Sequence, residues 1–255
     1  MTEEQTQATA TALDHELANA APSDVIAAAR HSVAPGRLAV VSSFGAETTA
    51  LLKLIAEADP SIPVLFLDTG WLFPETLAYR DALASLFGLS DIRVHTPSNC
   101  TLAERDPDQN LWSNDPDACC HIRKVVPLAE ALRPFDAWIN GRKRYHGQER
   151  QRLPLVESDG KRLKFNPLAH SSRQDIERIF AAHALPRHPL EAHGFSSIGC
   201  MPCTSRTLPG EDPRAGRWRG RGKTECGIHA KPATTDSDTG LDADIRSEIP
   251  QASFS

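Results

Sequence analysis

Short, uninterrupted apolar runs alternate with stretches of helical period through the first 140 residues, and few folds accept that alternation. RLAVVSSFG reads as a buried strand running into a glycine turn, and AETTALLKLIAEA follows with Leu51, Leu52 and Ile55 on one helical face. IPVLFLDTG is a second buried strand, PETLAYRDALASLFGL a second helix with Pro74 suited to its first turn, and DIRVHT a third strand. Asp115-Pro116 marks a helix start that puts Cys119 and Cys120 in the first turns, and FDAWINGRK is another strand ending in a basic loop. Residues 13–31 read as one helix. Strands alternating with helices predict an α/β fold, a parallel sheet covered by helices on both faces. Right-handed crossovers bring the strand C-terminal ends to one edge, where such sheets bind ligands. The loops after Val41, Leu67 and Ile139 are expected there.

With 255 residues the chain has room for one sizeable core or two small ones. Four parts are expected: an acidic N-terminal segment (1–24), an α/β domain (25–205), a mobile arm (206–230) and a disordered tail (231–255). The arm is rich in Gly, Pro and Arg without apolar period, and the tail is polar and acidic. Net charge is −5, but the acids gather at the two ends, leaving 25–230 at +3. That balance suits a small anionic substrate and argues against nucleic acid, which calls for a stronger basic footprint. No apolar run reaches the ~20 residues of a membrane span. The N-terminus lacks a signal peptide's basic-then-apolar layout, so a cytoplasmic protein is expected.

Six cysteines in such a chain point to metal binding or catalysis rather than disulfides. Cys119-Cys120 and the C-x-x-C of Cys200 and Cys203 offer four thiolates, the complement of a [4Fe–4S] cluster. A Cys₄ zinc site, a redox pair and buried inert thiols remain open alternatives. The turn SSFGAE, Ser42 to Glu47, joins a strand to a helix, and hydroxyls, glycine and free N–H groups there form a phosphate cradle. LDTG ends the neighbouring strand. Arg142, Lys143, Arg144 and Arg150, then Arg214, Arg217, Arg219, Arg221 and Lys223, supply cations suited to phosphate and sulfate oxygens. The second group lies just before Cys226, where nearby cations favour a thiolate.

Taken together, SSFGAE, LDTGWLFPET, the Cys119-Cys120 pair, WINGRKR, NPLA, GFSSIGCMPCT, GEDPRAGRW and ECGIH resemble one family, the thioredoxin-dependent assimilatory adenylyl-sulfate and phosphoadenylyl-sulfate reductases. The pieces keep the family's order over residues 38–229, and 79 residues separate Cys120 from Cys200. The resemblance implies a Rossmann-like sheet of the adenine-nucleotide hydrolase type, and one [4Fe–4S] cluster per subunit on Cys119, Cys120, Cys200 and Cys203. Cys226 is implied as the nucleophile that takes the sulfonate and expels AMP. A thioredoxin or glutaredoxin-like reductant would then release sulfite.

By the same resemblance, Ser42, Ser43, Gly45 and Glu47 form the phosphate loop, and Asp68, Thr69 and Gly70 the adenosine-side loop. Lys143, Arg144, Arg150, Arg214 and Arg217 bind the anionic groups, with the cluster orienting Lys143 and Arg144 or tuning the charge there. Members with both cysteine pairs tend to use adenylyl sulfate, which favours that substrate over its 3′-phosphorylated form. A homo-oligomer is compatible with the family. Tyr145-His146-Gly147-Gln148 departs from the family's Gln-Ser stretch, and the tail runs about 25 residues beyond ECGIH. Two other readings stand beside this one: an ATP-using adenylyltransferase, sharing the phosphate loop, and a Cys₄ zinc binding module.

Overall fold

The computed structural model describes residues 1–230. The expected tail, 231–255, lies outside the described residues. Helix α1 (Glu3–Glu16) and α2 (Pro22–His31) precede strand β1 (Leu38–Val41), α3 (Thr48–Ala58), β2 (Val64–Leu67), α4 (Pro74–Phe87) and β3 (Ile92–His95). Next come α5 (Asn99–Arg105), α6 (Leu111–Asn114), α7 (Pro116–Cys120), a π-helical turn (His121–Val125) and α8 (Val126–Ala131). Strands β4 (Ala137–Ile139), β5 (Val156–Asp159) and β6 (Arg162–Phe165) and helix α9 (Arg173–Ala182) complete the regular elements.

The sheet order is β3-β2-β1-β4-β6-β5, parallel except for β5, which pairs antiparallel with β6. The period-2 side-chain alternation of a strand explains how β1 serves both faces. Leu38 and Val40 join the larger apolar cluster with α2, α3, α4 and α9, while Ala39 and Val41 join the smaller one with Leu128, Leu132, Phe135 and Trp138. The strand order reverses beside β1, so the loops after β1 and β4 part and leave a crevice at their C-terminal ends.

The single helix read over 13–31 is two helices. Pro22 cannot continue α1 but fits the first turn of α2, and the break falls between them. The acidic first 24 residues, set apart in the sequence reading, pack into the common core. Ala10 and Leu17 are buried there, and the Asp14 carboxylate accepts from the N–H groups of Leu155 and Val156 at 2.7 and 3.1 Å, covering part of the edge strand β5. Residues 206–230, expected as a mobile arm, form no long helix or strand and lie docked across the mouth of the crevice.

Candidate active site

The crevice is floored by the turn after β1. Phe44 adopts a left-handed backbone (φ 48°) that costs a non-glycine residue energy, and its fully buried ring packs edge-on against Phe66 at 5.4 Å. That anchor, with the Phe44 N–H donating to Ser42 Oγ at 3.1 Å, fixes the turn at the start of α3. Ser42, Ser43, Gly45 and Glu47 all line the cleft, as does Thr69 after β2. Asp68 and Gly70 do not reach the cleft wall. The Asp68 carboxylate instead accepts the N–H of Gly70 at 2.9 Å, closing the local turn.

Six cationic side chains wall the cleft, and four already hold a carboxylate. Lys143 Nζ lies 3.1 Å from Glu47, Arg142 pairs with Glu157, and Arg150 and Arg214 share Glu225. Lys124 and Arg217 have no carboxylate partner among the described residues, and Arg217 Nε is buried without an acceptor. A bound anion would meet these two first. Arg144, expected on the substrate, turns elsewhere: its Nε donates to the Leu153 carbonyl at 2.8 Å and it is absent from the cleft wall.

Tyr145 and His146, the residues that depart from the family's pattern, both meet Glu47. The Tyr145 hydroxyl donates to Oε2 at 2.7 Å, and His146 Nε2 lies 3.0 Å from the same oxygen. Burial opposes ionisation of Glu47, but the His146 hydrogen bond and the Lys143 charge outweigh it and hold the carboxyl well below its usual range. Burial also depresses the His146 imidazolium.

Beside the cleft lies a small cavity walled by all four paired cysteines together with Trp71, Trp112 and Lys124. Asp115 caps α7 by accepting from the N–H groups of Asp117 and Ala118, which sets Cys119 and Cys120 on that helix. The next turn is π-helical because Pro127 has no N–H for the ladder, and the N–H of Val126 donates instead to the His121 carbonyl five residues back. Lys124 sits on this widened turn and lines both cavity and cleft. Burial works against its charge, but negative charge on the sulfurs of Cys200, Cys226 and Cys120, as thiolates, pushes its pKa up. The sequence reading missed Lys124, although its i,i+4 spacing from Cys120 placed it on the same helical face.

Among the described residues no three His, Cys, Asp or Glu side chains converge tightly enough for a single ion. A cluster, with four separate iron corners, takes thiolates spread more widely around one cavity, and the four-thiol donor set fits it. Thr69 Oγ1 lies 3.2 Å from Cys200 Sγ, the kind of contact that steadies a thiolate.

The arm is tied to this region. Thr204 bridges Arg217, and the N–H of Trp218 donates to the Cys203 carbonyl at 3.0 Å. The Arg217 guanidinium occupies the space beside Gly199, where a Cβ would displace it. Farther along, Cys226 lines the cleft opposite the β1 turn. Ile228 packs into the smaller apolar cluster, and His229 stacks on Trp138 with centroids 5.6 Å apart and planes 7° off parallel. Burial, and then the surrounding Arg142 and Lys164, hold that histidine neutral.

Residues 37–206 match the phosphoadenosine phosphosulfate reductase domain. The chain belongs to the phosphoadenosine phosphosulfate reductase family. An adenosine 5′-phosphosulfate reductase of Mesorhizobium japonicum is 49% identical over 222 residues, spanning 87% of each chain. One from Chelativorans sp. is 50% identical over 194 residues, 76% of this chain and 79% of the relative. In fold, the chain is similar to a phosphoadenylyl-sulfate reductase of Candida auris crystallised with phosphate (TM-score 0.66, 23% identity, 78% of this chain and 97% of that one). It is also similar to an FMN adenylyltransferase of Candida glabrata (TM-score 0.51, 16% identity, 88% and 79%), a likeness of fold alone. In this chain the β1 turn and the segment from Glu225 to His229 line one cleft, and the paired cysteines line the cavity beside it, with Cys200 shared by both.

Proposed function

We propose that this protein reduces adenylyl sulfate to sulfite and AMP, taking two electrons from a thioredoxin-type dithiol in the cytoplasm. One observation carries the reading: a single cleft at the strand-order reversal is walled by the phosphate-type turn, by Lys124 and Arg217, and by the thiol of Cys226. The nucleotide phosphate suits Ser42, Ser43, Gly45 and the start of α3, and the sulfate suits the two cations without carboxylate partners. The Cys226 thiolate attacks the sulfate sulfur. A bond forms from Sγ to sulfur as the sulfur–oxygen bond to AMP breaks, with the electron pair leaving on the AMP phosphate. The dithiol's thiolate then attacks Sγ, sulfite departs with the bonding pair, and the second thiol releases Cys226 as the donor closes its own disulfide.

Cys119, Cys120, Cys200 and Cys203 would hold a [4Fe–4S] cluster, whose contribution is a fixed charge distribution beside Lys124. Lys124, between that cavity and the cleft, directs its ammonium at the sulfate, the part the sequence reading had given to Lys143 and Arg144. Adenylyl sulfate is preferred over its 3′-phosphorylated form because Arg142, Lys143, Arg150 and Arg214 are already paired, which leaves no cation beyond Lys124 and Arg217 among the described cleft residues for a further dianion. Side-by-side turnover of the two sulfonucleotides tests this. The kcat/KM for adenylyl sulfate should exceed the other by at least about tenfold, roughly 1.4 kcal/mol. Equal or reversed preference would contradict the substrate assignment.

A further inference from the structure

The residue before the nucleophile is an acid turned into an anion site. Glu225 lines the same cleft as Cys226, where its charge should repel an incoming sulfonucleotide. Its carboxylate is instead gripped from two sides. Arg150 Nε donates to Oε1 at 2.5 Å and Arg150 Nη2 to Oε2 at 2.6 Å, a planar two-point fork, and Arg214 Nη2 stands 3.4 Å from Oε2. Arg214 also donates to the Thr224 carbonyl at 2.8 Å, and the Thr224 hydroxyl donates to Glu149 at 2.6 Å. Arg150 and Glu149 belong to the loop that leaves β4, so these bonds fasten the arm to the sheet edge directly beside Cys226.

The arm has no helix or strand of its own around Cys226, and Gly227 follows with a left-handed backbone (φ 85°) that leaves that point of the chain pliant. On the C-terminal side the Ile228 and His229 contacts hold the chain down. On the N-terminal side the Glu225 fork does so, and the thiol lies between the two anchors.

We propose that Glu225 is a positioning residue for the sulfonate transfer, acting through Arg150 and Arg214 to seat Cys226 over the cleft. The assignment rests on the functional reading above and deepens it. It separates binding from chemistry. Removing the carboxylate's charge takes a like charge away from the substrate's anions and frees two arginines, so binding holds or tightens. The thiol loses one of its two anchors, so the transfer slows, as an effective-molarity argument requires.

The test uses the cluster-loaded, full-length enzyme, adenylyl sulfate and no reductant, with rapid-quench measurement of AMP release and of the Cys226 adduct. Glu225→Gln should form the adduct at least about tenfold more slowly, with substrate Kd unchanged or lower and Tm within about 2 °C of wild type. Glu225→Asp, keeping the charge on a shorter stem, should recover part of the rate. An E225Q enzyme that forms the adduct at the wild-type rate overturns the proposal. So does one that loses affinity by the same factor as rate, since that is a binding or folding effect. A wild-type enzyme that forms no adduct would instead remove the functional reading underneath.

Discussion

The two halves of the cleft are built by opposite means. The β1 turn is held chiefly by packing: Phe44 is locked into the core and the strands beneath it are buried on both faces, with Glu47 at the helix start adding polar contacts to Lys143, Tyr145 and His146. The arm from 206 to 230 is held by charges and single aromatic contacts: Arg150 with Glu225, Arg219 with Glu211, Lys223 with Asp117, and His229 on Trp138. Packing holds a dry core at one geometry, whereas exposed ion pairs such as Arg219 with Glu211 contribute little each and weaken with salt. The largely buried Arg150–Glu225 fork is therefore the firmest of the arm's charged contacts. The difference suits a reaction in two stages. In the proposed reaction the nucleotide side would stay fixed, while the thiol would reach first a small substrate and then a protein reductant.

The largest effect expected is on the region that joins the halves. The proposed cluster predicts about four iron and four sulfide per chain, and replacing Cys119, Cys120, Cys200 or Cys203 with Ser should remove most of that iron, and activity with it. Cys100, exposed on α5 and outside the cleft, should tolerate the same change. Iron and sulfide analysis with a visible spectrum checks this. Stoichiometric zinc without iron would break the account of how Lys124 is placed.

Gly199→Ala sharpens the comparison at a single atom. Gly199 needs no left-handed backbone, so the fold should persist, but the added methyl displaces the Arg217 guanidinium. A fall of about 10- to 100-fold in kcat/KM is expected, about 1.4–2.8 kcal/mol, with thermal stability little changed. Wild-type kinetics would show that Arg217 is not needed where it lies.

Much of the packed half was legible in the sequence, and much of the arm half was not. Strands β1 to β4 announced themselves between helical periods, β1, β2 and β4 by their apolar residues and β3 by the alternation of DIRVHT, and Pro74 and Asp115-Pro116 marked helix starts that the structure shows. The hairpin of β5 and β6 went unread because half of VESDGKRLKF is charged. Its two-residue Gly160-Lys161 turn, with φ 60° at the glycine, was the signal available. The cysteine pairs and Cys226 could be picked out by residue type. The pairing state of the cations could not: nothing local says that Lys143 is taken by Glu47, that Arg144 turns to Leu153, or that Glu225 folds back onto Arg150 across 75 positions. These are contacts between distant segments, and only tertiary structure fixes them.

The remaining effect belongs to the packed half alone and falls on stability rather than on the reaction. His188, 1% exposed, accepts the Leu190 N–H at Nδ1, which leaves Nε2 to donate to Thr76 Oγ1 at 3.1 Å. Burial lowers its pKa to about 4. The unfolded chain takes up that proton near 6.5, so the contribution is complete above about pH 6.5 and is lost as pH falls toward 4, at most about 3 kcal/mol. Urea unfolding of His188→Gln across this range should show a flatter loss of stability than wild type. An identical slope would mean that another group carries the acid sensitivity.

The central claim is that the arm delivers Cys226 as the nucleophile to a cleft already set for the nucleotide, and intact-mass analysis with peptide mapping tests it most directly. Enzyme mixed with adenylyl sulfate in the absence of reductant should release one AMP per active site and gain about 80 Da, one sulfonate, on Cys226. Reduced thioredoxin should then release sulfite and restore the original mass. Cys226→Ser should bind the nucleotide and keep its iron, yet gain nothing. An adduct on Cys100 or a paired cysteine, or normal turnover by Cys226→Ser, would contradict the account.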